Sequence, residues 1–449
     1  MRILQLNASD IKGGAAAVAW RIHTSLNLGS NSSFIAVNYK FSKDKNVILI
    51  NNDKCRNIWF QIFNQISNFS LKFSWNLSRF FIKIANPKFF LFKTFGKEYF
   101  DFNGFKEIVN AINPDIIHAH VLHGDFADLS YIAKISNKIP VVITLHDAWL
   151  LSGHCAHSFD CDKWITGCGN CPDLSIRPAI KKDATNFNWN QKKQFYSNAA
   201  FTIITPCDWL MNKVDKSILI PSIIEKYVIP NGIDLELFKP RNKYEARQEL
   251  GIDSQKKVIL FASNGIQNNI WKDFETLKKA IKIISEQRNE EVLLLAIGEK
   301  LDTIKYNNCE IEFKSFVSET EMISFFQAAD IYVHPANADT FPTTILEALA
   351  CGLPIVATNV CGIPEQIKGF KNNFIKEDKF NTFEKNLATG ILVNKKSPNE
   401  VATAIQHILF DDELRNKLSE NARNDAEKRF DLKSQIDNYI KIYKRLTKN

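Results

Sequence analysis

The chain has 449 residues, of which 45% are apolar and 24% charged, with 57 basic against 49 acidic side chains and a formal charge of +8. These are ordinary values for a globular protein, but the length exceeds one comfortable hydrophobic core, which excludes a single small domain and implies two or three. The charge excess is too mild to demand a nucleic-acid partner, and none is expected; it suits a chain that meets phosphates or an anionic membrane surface.

The first residues, "MRILQLNASD", lack the apolar core of an export signal and read as a buried strand followed by a turn. No run of eighteen apolar residues follows, so no membrane span is expected, and the default location is the cytoplasm. Gly13 and Gly14 stand between this strand and the first helix, where the backbone can approach a ligand closely. The G-x-G-x-x-G dinucleotide spacing is missing. Further strands are predicted at 33–37, 115–120, 141–146 and 201–206, with helices beginning near Gly14 and Gly104 and another preceding Phe201.

Residues 54–97 break the pattern. They contain Lys54, Arg56, Lys72, Arg79, Lys83, Lys88, Lys93 and Lys97 and no acidic residue, interleaved with twelve Phe and Trp side chains. One reading is helical hairpins whose aromatics fill a local core. The other is an amphipathic surface on anionic lipid, aromatics at the interface and lysines on the headgroups.

"HCAHSFDCDKWITGCGNC", 154–171, gathers Cys155, Cys161, Cys168 and Cys171 at C-x5-C-x6-C-x2-C spacing, with His154 and His157 beside them. The terminal "GCGNC" is the tight turn that zinc knuckles use. Three readings stay open: a structural zinc, with a histidine able to replace one cysteine, unliganded thiols, or disulfides, the last disfavoured in reducing cytoplasm. Four protein ligands would close a zinc site, so a catalytic metal is not expected.

A second strand series follows at 257–263, 292–298, 331–335, 354–358 and 390–393, with amphipathic helices at 274–287 and 321–330. Strand–helix alternation means parallel sheets covered by helices, and two series mean two doubly wound domains, divided near 229–251. Ligands of such sheets bind beyond the carboxyl ends of the strands, here in a cleft between domains. Beyond Pro398 the chain reads as almost wholly helical, and 435–446 carries an apolar face that must pack on something.

The stretch "HPANADTFPTTILEALACGLPIVAT", 334–358, carries the most chemistry. A strand ends at His334, and Pro342 sits where a helix can begin. The amides of Thr343, Thr344 and Ile345 at that start favour a phosphate or diphosphate. Glu347 lies one turn on, suited to sugar hydroxyls, and Asp339 precedes the helix. The bland alternative is a helix capped by Asp339 or Thr340 and a solvated glutamate.

Taken together, Asp339-x7-Glu347 with "EALACGLPIVATNVCGIPEQI", the linker "PNGID" (230–234), "GGAAAVAWRIHTSL", "DIIHAHVLHG" and "TLHDAWLLSGHC…GCGNCP" resemble the retaining glycosyltransferases of family 4, and among them the colanic-acid and capsule branch. The resemblance covers nearly the whole chain outside 54–105. It implies the α/β GT-B fold, two doubly wound Rossmann-like domains facing across a cleft. Residues 1–235 would bind acceptor, with an insertion at 54–105 and a Cys-rich loop at 154–172; 236–430 would bind the nucleotide sugar; 431–449 would be a helix packing back across the junction. It further implies that Glu347 holds the ribose and Asp339 the transferred sugar, while the amides of Phe341, Thr343, Thr344 and Ile345 meet the sugar and diphosphate. Lys272 would neutralise the leaving diphosphate, His146 would stand near the reaction centre, and Gly14 would face phosphates or acceptor.

The chain departs from the pattern in places. Asn264, Asn268 and Asn269 stand where an Arg is usual, Lys272-Asp273 replaces Lys-Gly, and Thr340-Phe341-Pro342 replaces Gly-Phe-Gly. The implied activity is transfer from a nucleotide-diphosphate sugar to a lipid-linked oligosaccharide in surface polysaccharide synthesis, on the inner face of the cytoplasmic membrane and without a catalytic metal. A soluble acceptor is one alternative, and a non-catalytic sugar-nucleotide-binding subunit is another.

Overall fold

The computed structural model describes residues 1–370 and 382–448; residues 371–381 and 449, which fall within the expected domain spans, lie outside the described residues. The chain divides into two compact units, Met1–Ile229 together with the chain from Ile436 onward, and Pro230–Gln435.

The N-terminal unit is built on seven strands: β1 (Arg2–Ser9), β2 (Ser32–Tyr39), β3 (Val47–Leu49), β4 (Ile116–Ala119), β5 (Val141–Thr144), β6 (Phe201–Thr205) and β7 (Ile223–Val228). All pair in parallel in the order β3-β2-β1-β4-β5-β6-β7. β4, β5 and β6 are buried at every position, as strands covered on both faces must be, and read as unbroken apolar runs for that reason.

In the C-terminal unit the strands are β8 (Lys257–Ala262), β9 (Val292–Ile297), β10 (Ile304–Tyr306), β11 (Cys309–Lys314), β12 (Ile331–His334), β13 (Ile355–Thr358), β14 (Gly369–Phe370), β15 (Thr382–Phe383) and β16 (Gly390–Val393). Their order is β10-β11-β9-β8-β12-β13-β16-β14-β15, parallel except for β10 against β11. Sequence reading missed β3, β7, β10, β11, β14 and β15. β11 alternates buried and half-buried residues and β7 half-buried and exposed ones, as strands with one better-covered face do, and so both lack the apolar run that marks the inner strands.

Helices close the layers. Phe274–Gln287 buries Phe274, Leu277, Ala280, Ile281 and Ile284 at helical spacing. The Asp273 carboxylate caps it through the amide (3.1 Å) and hydroxyl (2.7 Å) of Thr276, a cap worth about 1 kcal/mol. This explains why aspartate follows Lys272. The last helix, Leu432–Leu446, buries Tyr439 and Tyr443 completely in the N-terminal unit. Their hydroxyls meet Thr144 (3.1 Å) and His118 (2.6 Å), which spares the cost of burying them unpaired.

The 54–97 segment forms helices Ile58–Ser70, Trp75–Ala85 and Pro87–Thr94. A thin inner row exists: Phe60 is buried, Phe63 stacks on Phe81, and the Trp59 indole donates to the Ile84 carbonyl. The outer row is open to solvent. Ile58 is 77% exposed, Phe73 73%, and Phe69 and Trp75 each 62%. A local core therefore accounts for only part of the aromatic content.

Candidate active site

Each sheet has one point where successive connections leave in opposite directions, between β1 and β4 and between β8 and β12. Sheets of this kind take ligands at such points, beyond the carboxyl ends of the strands. In the C-terminal unit the loops leaving β8 and β12 are zipped together. The Asp273 amide donates to the Pro335 carbonyl (2.6 Å), the Asn337 amide donates to the Trp271 carbonyl (2.9 Å), and Lys272 bridges Ala336. Asn269 shapes the first loop, its side-chain oxygen accepting from the amides of Trp271 (3.0 Å) and Lys272 (3.3 Å).

This zipper brings Lys272 onto Asp339. The ammonium donates to the Asp339 carboxylate and to His334 Nε2, the latter at 2.7 Å. His334 is fully buried at the end of β12, and its Nδ1 lies 3.1 Å from the Tyr332 hydroxyl, which also meets Thr344. Burial, reinforced by the Lys272 charge, pushes the His334 imidazole down to about 4, so it serves Lys272 as a neutral acceptor. Burial alone would raise Asp339, but Lys272 and His334 outweigh it and hold the carboxyl well below its usual range. The sequence marked His334 only as the end of a strand. Its signal was position, directly ahead of the Asp339 loop.

The helix that follows is Thr343–Ala350. Pro342 is its N-cap with ψ 126°, one position earlier than the first-turn placement expected, because that extended ψ keeps it outside the helix. Neither Asp339 nor Thr340 caps the start, which has no side-chain cap. The Ile345 amide leans on the Pro342 carbonyl (3.3 Å), leaving Thr343 and Thr344 to present the first amides. Phe341 is buried against Phe430, and Glu347 is buried on the inner turn. In the preceding loop the amides of Ile266 and Gln267 are taken by the Glu299 carboxylate (2.6 and 2.9 Å), close to where an Arg was expected.

In the N-terminal unit, Gly13 caps the helix Gly14–Asn27 with φ 103°, a conformation suited to glycine, and the space around both glycines is open. His146 follows β5, half-buried, with Nε2 3.0 Å from His120 Nδ1. His118, two residues before His120 on the same face of β4, meets Thr144 (2.8 Å). Burial pushes His118 down to about 3 and His146 to about 4, so this side of the molecule carries neutral imidazoles.

Cys155, Cys161, Cys168 and Cys171, all free thiols, line one cavity of about 20 Å³ with His154. His154 Nδ1 lies 3.1 Å from the Pro178 carbonyl and Nε2 3.4 Å from the Cys171 sulfur. Among the described residues no three such side chains are already gathered to hold a metal ion. Beneath the loop, Lys192 and Glu98 form a buried ion pair (3.1 Å), and the Lys192 ammonium also donates to the carbonyls of Trp149 (2.9 Å) and Ser152 (3.0 Å). Sequence reading missed this anchor, which joins two segments 94 residues apart.

Comparison with known proteins agrees with the fold. The sequence model for "Glycosyltransferase Family 4" matches residues 68–237 and that for "Glycosyl transferases group 1" matches 242–425. The chain belongs to the family 4 glycosyltransferases. It is 22% identical over 409 residues to the Escherichia coli K12 protein named for colanic acid biosynthesis, WcaC, covering 84% of this chain and 88% of that one. N-acetyl-alpha-D-glucosaminyl L-malate synthase of Bacillus anthracis is 24% identical, covering 75% and 76%. Anabaena HepE, solved with UDP-glucose, superposes with a TM-score of 0.60 at 17% identity over 99% of this chain and all of that one. Sucrose-phosphate synthase of Thermosynechococcus elongatus superposes with a TM-score of 0.64 at 15% identity, covering 99% and 98%. The fold of this glycosyltransferase is GT-B, with two Rossmann-like domains.

Proposed function

We propose that this glycosyltransferase moves a sugar, with retention, from a nucleotide-diphosphate donor to a lipid-linked oligosaccharide during surface polysaccharide synthesis. The observation that carries the reading is the uncapped helix start at Thr343 beside Lys272 and Asp339, at the switch point of the C-terminal sheet. Amides and dipole receive the diphosphate, Lys272 neutralises the charge that builds on it, Asp339 takes sugar hydroxyls, and Glu347 takes the ribose. The acceptor oxygen bonds to the anomeric carbon on the face the diphosphate leaves. The anomeric C–O bond breaks with its electron pair going to the diphosphate, whose oxygen takes the acceptor's proton. The UDP-glucose complex of HepE and the colanic acid assignment of WcaC support a nucleotide-sugar donor and a polysaccharide product.

The lipid-linked acceptor follows from the outer row of 54–97. Lys54, Lys72, Arg79 and Lys83 are exposed among the exposed aromatics of this stretch and form no ion pair among the described residues, a combination suited to anionic headgroups over an interfacial apolar layer. The proposed attachment is peripheral and on the cytoplasmic face; no described helix is long and apolar enough to cross a membrane. Incubating purified protein with a panel of nucleotide sugars and lipid-extract acceptors, with the anomer of the product read by NMR, tests the reading. An inverted product, or no donor turnover, would end it.

The thiol cavity is proposed to take one structural zinc. His154, donating through Nδ1 to a carbonyl, turns Nε2 as a lone pair toward the cavity and the Cys171 sulfur (3.4 Å), the tautomer a ligand needs. Metal analysis of the purified protein should find about one zinc per chain, released in the Cys168→Ser, Cys171→Ser double variant; metal-free wild-type protein removes the site.

A further inference from the structure

A single hydrogen-bond chain crosses the N-terminal sheet at its switch point, through residues that come from six separate segments. His146 Nε2 meets His120 Nδ1 (3.0 Å), and His120 Nε2 meets Gln5 Oε1 (3.0 Å). Gln5 Nε2 donates to Ser33 Oγ (3.1 Å), which lies 3.0 Å from His23 Nδ1. His23 Nε2 lies 3.5 Å from the Asp44 carboxylate, which also accepts from the Asn46 amide (2.7 Å). Every link between the two ends is buried, whereas His146 and Asp44 reach the surface.

Such a chain has two self-consistent directions, because imidazoles, amides and hydroxyls can each be reversed. Asp44 breaks the tie. A carboxylate only accepts, so His23 must present Nε2–H to it and keep Nδ1 as a lone pair. Ser33 then donates to His23 and accepts from Gln5. The Gln5 oxygen accepts Nε2–H of His120, and His120 Nδ1 accepts Nε2–H of His146. In the reverse direction a lone pair of His23 would face the carboxylate, which is repulsive. The Asn27 amide gives one hydrogen to the Ser33 carbonyl (3.2 Å) and turns the other toward both His23 nitrogens (3.5 and 3.3 Å), a neutral contact weaker than the preference of the Asp44 carboxylate for Nε2–H.

We propose that Asp44 is a positioning residue that fixes His146 as the Nε2–H tautomer, leaving Nδ1 as a hydrogen-bond acceptor for a substrate hydroxyl. The second half of this inference rests on the proposed place of His146 near the reaction centre; the tautomer does not. Burial keeps the intervening imidazoles neutral, which is the condition for one proton per link.

The test uses the full chain with ring-15N histidine at pH 7.5. Long-range proton–nitrogen spectra are assigned with His146→Gln and His120→Gln. Wild type and Asp44→Asn, whose carbonyl can still accept from His23, should show His146 as Nε2–H. Asp44→Ala and Ser33→Ala should move His146 to a tautomer mixture and lower kcat about tenfold, as outer partners of functional imidazoles do. An Nδ1–H tautomer in wild type, or an unchanged tautomer in both alanine variants, overturns the proposal, whatever happens to activity. If no donor is turned over at all, the functional reading fails while the tautomer result still decides this one.

Discussion

The two units build different strand orders around the same kind of switch point, and fill it with opposite chemistry. Beyond β8 and β12 a cation and an anion, Lys272 and Asp339, are held in contact by two zipped loops. From the ends of β4 and β5 back into β1 and β2 run neutral imidazoles, an amide and a hydroxyl joined by hydrogen bonds. The difference teaches that topology selects where a crevice opens, while side chains decide what it can hold. Charge suits a leaving diphosphate; directed lone pairs suit hydroxyls that must be oriented without being ionised.

Removing the cation should break the charged side most severely. Lys272→Met keeps the stem and deletes the charge, and kcat should fall about 100- to 1,000-fold, the range for losing one stabiliser of developing charge. Steady-state kinetics with the best donor checks this. A kcat within tenfold of wild type would mean that the diphosphate charge is neutralised elsewhere.

A third kind of surface, neither charged pocket nor neutral network, sharpens the contrast. Lys88 and Lys93 are engaged with Asp101 (3.9 Å) and Asp125 (2.8 Å), so reversing them would disturb the fold as well as any docking. Lys72, Arg79 and Lys83 are exposed and form no ion pair among the described residues. Changing those three to Gln should cost about 3 kcal/mol of attraction to an anionic bilayer at about 1 kcal/mol per basic charge removed, roughly 150-fold in partition. Vesicle sedimentation in low and high salt would show it, with circular dichroism unchanged. Undiminished binding would return the aromatics to a local core and favour a soluble acceptor.

Next in size is Glu347→Ala, expected to weaken nucleotide affinity by about 1.5–3 kcal/mol through loss of a charged partner for the ribose. Calorimetric titration with the cognate nucleoside diphosphate measures it; unchanged affinity would remove Glu347 from the donor site.

What the sequence showed and what it hid follow one physical division. The helix start at Thr343, Asp339 and Glu347 lie within nine residues, so local spacing exposed them. Lys272 entered through resemblance, and the structure places it on Asp339 across 67 residues. The inner strands were legible because strands covered on both faces are apolar throughout; β7 and β11 were not, being half covered. The chain from His146 to Asp44 was hidden because no two of its neighbouring members need be close in sequence, and each residue alone reads as ordinary. The aromatic spacing of 58–81 could not separate core from interface, since a buried helix face and a membrane-facing one share the same period. Only the observed exposure of Phe73 and Trp75 divides them.

The smallest expected effect is a difference in acid sensitivity between the units. Burial lowers His118 to about 3 and His146 to about 4 and, with the neighbouring imidazoles, holds His120 well below its usual value, whereas in the C-terminal unit burial lowers His334 to about 4. A histidine kept neutral in the fold binds its proton first in the unfolded chain. Stability therefore falls as pH drops from about 6.5 and levels off below the folded value. At pH 5 each fully buried neutral imidazole costs on the order of 2 kcal/mol relative to pH 7.5. His146 is half-buried and counts for less. His123, raised because Asp147 outweighs its burial, works the other way, adding stability in acid that is lost as pH rises. His23 and His154, also lowered by burial, add to the N-terminal side, so the net excess there is on the order of 2 kcal/mol, or roughly 4–8 °C in the unfolding temperature of a unit this size. Proteolysis followed unit by unit during thermal ramps at pH 7.5 and pH 5 should show the N-terminal unit opening first in acid. If both units lose the same number of degrees, the imidazoles of the N-terminal sheet are hydrated enough to charge in place, and the neutral side of the comparison fails.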